Sequence, residues 1–173
     1  MEMQIRTEQP KDYAAVYEIN RAAFGNRDDE AELVERIRLS EGFIPELSII
    51  AEVDGEIVGH LLLSKATVVG ETMEKEVIVL APIAVKPEYQ KQGVGSKLIA
   101  EGLSRCKALG YGLVLLIGHP SYYPKFGFKP ARAYGLELKK FQVPDDVFMV
   151  CELIEGTLSH TEGELFYPKA FFV

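Results

Sequence analysis

The spacing of apolar residues along this chain changes several times, and each change predicts a different element. Residues 3–6 read as a short first strand. Beyond Pro10, which suits a first helical turn, Tyr13, Val16, Tyr17, Ala23 and Phe24 recur at the three-to-four spacing of a helix. Asp28 or Asp29 can cap a second helix carrying Leu33, Val34 and Ile37, and residues 40–47, with Gly42 and Pro45, read as a loop. Residues 48–53 and 56–68 are apolar and β-branched, and the Asp54-Gly55 pair between them supplies the positive φ that a tight hairpin demands. A polar connector over 70–75 leads into 76–85, a continuous β-branched run of the kind expected for a strand buried on both faces.

From Gly93 the period becomes helical. Leu98, Ile99, Gly102, Leu103 and Cys106 share one face, and Gly110 offers a C-terminal stop. Residues 113–117 form a short apolar strand, and a strand–helix–strand passage of this length favours a parallel pair through a right-handed crossover. Gly118-His119-Pro120 ends that strand, residues 121–126 can form one brief helix, and Gly127 breaks it before Phe128. Alternation at Tyr134, Leu136 and Leu138, then at Val147, Met149, Cys151 and Leu153, predicts two closing strands. The aromatic-rich tail over 156–173 is expected to pack. Without internal repeats or a Pro/Gly/Ser-rich linker, residues 1–173 read as a single α/β (α+β) domain. Its expected sheet is mixed and mostly antiparallel, splayed at a central parallel strand pair and flanked by helices.

Composition narrows the class. At 173 residues the chain can bury one good core, and 47% hydrophobic with 26% charged residues is globular composition. Asp plus Glu outnumber Lys plus Arg by 26 to 19, for a net charge of −7, and such a surface repels a phosphate backbone; nucleic acid is not expected as a partner. The same sign weakly favours cationic substrates such as amines, although solubility alone accounts for it. Cys106 and Cys151 lack metal-ligand or disulfide-framework spacing and fit a reducing cytoplasm. Residues 1–11 are polar and unlike a signal peptide, and the longest apolar run, 77–85, is broken by Pro82 and far shorter than the ~20 residues of a membrane-spanning helix. A soluble protein with no membrane association is expected.

The chemistry concentrates in Gln90-Lys91-Gln92-Gly93-Val94-Gly95-Ser96, between a buried strand and a helix start. Glycines let backbone approach a ligand closely, while unpaired N–H groups and the positive end of the helix dipole attract phosphate. A P-loop would need GxxxxGK[ST], which the segment lacks. A dinucleotide fingerprint would need a third glycine or alanine where Leu98 stands, and an opening strand where this one comes late. What remains is a short pyrophosphate cradle for a ligand held but not cleaved at phosphorus, and coenzyme A is such a ligand. Glycine used only to shape a strand-to-helix turn is the plainer alternative.

Gln90-x-x-Gly93-x-Gly95, following Leu80-Ala81-Pro82-Ile83-Ala84-Val85-x-Pro87, resembles the acyl-CoA signature of the GNAT superfamily of N-acyltransferases. Tyr123-Pro124-Lys125-Phe126-Gly127-Phe128 resembles the family's second motif, and 118–123 with 163–167 are similar to a bacterial subgroup of predicted acetyltransferases, so the likeness spans nearly the whole chain. The resemblance implies that acetyl-CoA is the co-substrate and that main-chain groups of Gln92, Gly93, Val94, Gly95 and Ser96, with Gln90 and Lys91 beside them, bind its pyrophosphate. It further implies that Ile83, Ala84 and Val85 pair with the pantetheine arm as with an added strand, for which packing in the core is the alternative. Pro87, which lacks an N–H, helps end that strand.

The implied reaction is direct attack of an amine on the thioester, with Tyr123 protonating the departing thiolate; Tyr122 is the near rival, because one residue on a short helix exchanges inward and outward tyrosines. For a general base, Glu76, Glu52 and His119 are candidates by location, each with an ordinary surface or structural role as the alternative, and His60 and His160 remain unassigned. Lys91, Lys97, Lys125 and Lys129 could meet the coenzyme's 3′-phosphate. No HExxH, CxxC or calcium-loop spacing suggests a catalytic metal, and no GxSxG elbow suggests a serine hydrolase. The acceptor, a small-molecule or peptide amine, is expected to be selected by residues 24–47 and the C-terminal segment. A homodimer is compatible with this reading. The rival readings are a non-catalytic acyl-CoA sensor and an enzyme that transfers a longer acyl group.

Overall fold

In the computed structural model, which describes residues 2–172, the chain runs β1 (Met3–Thr7), α1 (Tyr13–Ala23), α2 (Asp29–Arg38), β2 (Ser48–Val53), β3 (Glu56–Val69), β4 (Glu74–Val85), α3 (Val94–Ala108), β5 (Leu113–Ile117), β6 (Lys129–Pro130), β7 (Leu136–Glu137), β8 (Phe148–Glu152) and β9 (Gly163–Phe166). Met1 and Val173, the outer ends of the N-terminal stretch and of the tail read above, lie outside the described residues. The hairpin forms where Asp54 and Gly55 take φ of 50° and 82°, matching the twist of β2 and β3. The strands form one mixed sheet; along the path β1-β2-β3-β4-β5-β8-β6 neighbours are antiparallel except that β5 lies parallel to β4, as the α3 crossover requires, and β7 and β9 join off this path.

Alternation along the strands sends side chains to two layers. Ile49, Leu61, Leu63 and Leu80 meet Leu98, Ile99, Leu103 and Cys106, the helical face read from the sequence, so α3 covers one side. Ile50 and Leu62 meet Val16, Val34 and Ile37 of α1 and α2 on the other. Each such fully buried aliphatic side chain contributes about 1.5–3 kcal/mol. Among the described residues no helix is long and apolar enough to cross a membrane.

The structure departs from expectation in four places. The buried stripe of α1 is Val16, Ile19 and Asn20, while Tyr13 is exposed; a polar Asn inside the stripe disguises its true phase. Residues 134–138 do not form an alternating strand, because Tyr134 belongs to a 3-10 turn (Ala131–Tyr134) and β7 spans only Leu136–Glu137. Both faces of β8 are buried, with Met149 and Cys151 in one layer and Phe148 and Val150 in the other, so the expected one-sided alternation fails there too. The tail contributes β9, which pairs antiparallel with Thr67–Val69 of β3 and parallel with β7.

Candidate active site

The site begins where the sheet opens. β4 and β5 pair only at Ile78↔Val114 and Val79↔Leu115, although β4 continues to Val85, so the β5-facing edge of its last residues has no strand partner. β4 ends at Val85, and after Lys86 a 3-10 turn (Pro87–Tyr89) with Pro87 in its first position redirects the chain. The Gln90 carboxamide donates to the Val85 carbonyl at 3.1 Å and that of Gln92 to the Glu88 carbonyl at 2.9 Å, fastening the loop to the strand end.

Lys91 and Gly93 then take φ of 64° and 87°, a conformation only glycine adopts without cost, and α3 starts at Val94. Among the hydrogen bonds of the described residues, none is donated by the backbone N–H of Lys91, Gln92, Gly93, Val94, Gly95 or Ser96; the first helical bond runs from Lys97 N–H to Gly93 O at 3.1 Å. A row of free donors at the positive end of a helix of about four turns is chemically suited to a diphosphate.

Across from this row lies the 3-10 turn Tyr123–Phe126, closed by Gly127 at φ 99°. The Tyr122 hydroxyl is 3.3 Å from Ser96 Oγ, and a β-carbon on Gly95 would sit 3.1 Å from that hydroxyl, so the absence of a side chain at position 95 keeps the passage open. Lys125 Nζ stands 4.1 Å above the Tyr122 ring. Tyr122 and Tyr123 meet edge to face with centroids 5.1 Å apart, and Tyr123 lies between Phe128 and the backbone of Gly118. Burial pushes the Tyr123 phenol up to about 12, with the neighbouring Tyr122 adding to the shift, so it carries its proton across the neutral range.

Two cavities meet here. The outer, about 430 Å³, is lined by Tyr89, Lys91, Gly93, Ser96 and Lys125 together with Val85, Gln90, Gly95 and Tyr122. The inner, about 240 Å³, shares those last four and adds Ala23, Phe24, Ile83, Ala84 and Tyr123. The residues expected to hold coenzyme are therefore brought together, except that Gln92 and Val94 can reach the cleft only through their main chain: the Gln92 side chain is tied to Glu88 and Val94 is buried in the core. Tyr89 and Ala23 belong to no motif, so nothing in the sequence marks them as part of the cleft. Phe24, at the start of the stretch expected to select the acceptor, lines the inner cavity.

The candidate bases are placed elsewhere. Glu52 is paired with Arg6 at 3.0 Å on the β1 side, and Glu76 accepts from the Tyr111 hydroxyl at 3.4 Å far down β4. His119 is exposed, with Nδ1 3.2 Å from Ser121 Oγ, and lines neither cavity. His60 is fully buried and His160 is bonded within the tail, Nδ1 to the Gly156 carbonyl at 2.7 Å. Of the lysines, Lys91 and Lys125 reach the cleft; Lys97 and Lys129 do not line it. Among the described residues no metal-binding group of three or more His, Cys, Asp or Glu side chains occurs, and both cysteines are buried free thiols.

An open sheet with a row of free amides at the start of α3 defines an acyl-CoA type of site, and the acetyltransferase (GNAT) domain family matches residues 4–131. The chain belongs to that family. The uncharacterized N-acetyltransferase YjhQ of Escherichia coli K12 is 40% identical over 119 residues, which make up 69% of this chain and 65% of YjhQ, just under two thirds of that protein. The uncharacterized N-acetyltransferase YhbS of the same strain is 30% identical over 169 residues, 98% of each chain. The crystal structure of E. coli YhbS in complex with CoA superimposes with a TM-score of 0.87 at 28% identity, covering 99% of this chain and 92% of that one. A GNAT family acetyltransferase from Brucella melitensis in complex with acetyl-CoA gives 0.80 at 30% identity over 99% of both chains.

Proposed function

We propose that this protein, working as one domain, transfers the acetyl group of acetyl-CoA to the primary amine of a small molecule or peptide by direct attack. The observation that carries this reading is the unpaired N–H row from Lys91 to Ser96, in a chain whose full-length relatives were crystallised with CoA and acetyl-CoA. Backbone amides of residues 91–96 receive the pyrophosphate, with Lys91 and Lys125 supplying positive charge at the outer cavity. The edge of Ile83, Ala84 and Val85, which no strand covers although the Gln90 carboxamide holds the Val85 carbonyl, pairs with the amide-bearing pantetheine, which directs the thioester into the inner cavity beside Tyr123.

There the amine lone pair attacks the thioester carbonyl, the new C–N bond forms and the C–S bond breaks. The Tyr123 hydroxyl gives its proton to the departing thiolate and recovers one from the nitrogen through solvent. A thiol is a far stronger acid than a phenol held at about 12, so the donor suits a thiolate only while its negative charge develops within the apolar cavity. Among the described residues no carboxylate or imidazole lines the inner cavity, so deprotonation of the incoming ammonium is assigned to water. Two buried free thiols, Cys106 and Cys151, accord with a reducing cytoplasm.

The test is acetyl-CoA offered with a panel of amines and peptides, following free thiol and the acetylated product by mass spectrometry. Amine-dependent thiol release is expected; tight calorimetric binding of acetyl-CoA with no release across the panel would instead make the protein a coenzyme sensor.

A further inference from the structure

His60, in the middle of β3, is completely buried and takes no part in the chemistry proposed above. Its partners define its state. Ser48 Oγ donates its single proton to Glu8 Oε2 at 2.6 Å, so toward His60 Nε2, 3.0 Å away, it can only accept. Nε2 therefore carries the imidazole proton, and Nδ1 offers a lone pair to Asn20 Nδ2, which stands 3.2 Å away on α1. The second Asn20 N–H goes to the Val16 carbonyl at 3.0 Å, which fixes the amide orientation, since the flipped form would set two oxygens against each other. Glu8 closes the far end by pairing with Arg38 of α2. Burial, with the Arg38 charge adding, holds the His60 ring down at about 3, in keeping with a neutral imidazole.

The network reaches the cleft on two sides. His60 is directly opposite Ala84 in the β3–β4 register and shares its face. Asn20 lies one turn before Ala23 and Phe24 on the same helical face, and Ala23, Phe24 and Ala84 all line the inner cavity. We propose that Asn20 and His60 are positioning residues for acyl transfer: their hydrogen bond, backed by Ser48, Glu8 and Arg38, sets the last turn of α1 against β3 and β4 and so fixes Ala23 and Phe24 as the wall that keeps water from the thioester. The inference rests on the reading of the cleft given above.

The experiment needs no identified acceptor, because water itself can replace the amine. Thiol release from acetyl-CoA alone is compared for the wild type, Asn20→Leu and Phe24→Ala, with acetyl-CoA affinity measured by calorimetry. Both variants are expected to release thiol at least about threefold faster than the wild type while binding acetyl-CoA within about twofold of it. Release that is unchanged or slower at retained affinity overturns the proposal, and so does faster release accompanied by a general loss of affinity. Phe24→Ala decides the matter if Asn20→Leu does not fold.

A third variant, Asn20→Asp, brings no proton to Nδ1, so its contact with His60 closes only when one further proton is held between them; the charged groups facing the network, Glu8 and Arg38, already pair with each other. Its release relative to the wild type is therefore expected to rise as pH rises from about 6 to 9, and a ratio flat with pH contradicts the assignment. Failure of the wild type to bind acetyl-CoA would overturn the cleft reading itself and this inference with it, a result distinct from variants that bind and behave alike.

Discussion

At residue scale the cleft depends on what position 95 lacks and on what position 123 holds. In Gly95→Val the added methyl groups would meet the Tyr122 hydroxyl, already 3.1 Å from a bare β-carbon, and cover the neighbouring N–H groups. Calorimetry should show CoA binding at least about tenfold weaker, with little change in urea stability, because a valine in the first turn of a helix costs well under about 1 kcal/mol. Tyr123→Phe should lower the maximal rate by about 10²-fold with CoA affinity within about twofold; the reverse result, loss in Tyr122→Phe alone, would exchange the two roles. A general acid fails as pH rises through its pKa. With Tyr123 near 12, no loss of rate attributable to it should appear below about pH 10. The spacing of Gly93, Gly95 and Tyr123 was readable in the chain because backbone approach and turn geometry constrain residue type locally. Ala23 and Tyr89 were not, since a residue outside any motif lines a cleft only through where its neighbours place it.

Elements were legible in proportion to how far their own residues specify them. The β2–β3 hairpin, α3 and the crossover to β5 follow from a turn dipeptide, a helical stripe and a length, all local. β9 does not: its strand is Gly-Glu-Leu-Phe, too short to show a period, and it pairs because β2 stops at Ser48↔Leu62 and leaves the edge of Thr67–Val69 free. The entry into α1 is held by a long-range lock of the same kind. Arg6 Nη1 and Nη2 grip Asp12 Oδ2 and Oδ1 at 2.8 and 3.0 Å, Nη2 also meets Glu52 at 3.0 Å, and the Gln9 N–H donates to the same carboxylate at 2.8 Å. The guanidinium and that N–H hold the Asp12 carboxyl below the usual carboxylate range against its burial. Asp12→Ala should cost about 1–3 kcal/mol in urea denaturation, at the lower end of a broken buried pair because Glu52 still compensates Arg6.

Across the whole molecule, a titration couples to stability. Unfolded, the imidazole of His60 takes a proton near its ordinary 6.5; folded, it resists until about 3. Between these values the unfolded state binds more protons, so stability is full above pH 6.5 and declines as pH falls through the window, by at most about 1.4 kcal/mol per unit from this one group. Denaturation at pH 5 and pH 7 should show the loss, and His60→Gln should show less of it. Shape is the other global property. A groove of about 800 Å³, larger than either cavity of the cleft, lies at the far end of β3 and β4 between Glu76 and Phe166, away from the free amides. Volume therefore does not single out the cleft proposed as the active site; its unpaired donors do.

Local chemistry alone settled the hairpin, the glycine-bearing start of α3, the parallel crossover and the aromatic turn at 122–128, because each is written in neighbouring residues through φ restrictions and period. Only the folded structure decided where the expected splay begins, after Val79 of β4, that α1 supplies one wall of the inner cavity, and that Glu52, Glu76 and His119 stand clear of it. Those outcomes depend on which distant strands and helices compete for the same edge or face, and no interval along the chain records that competition.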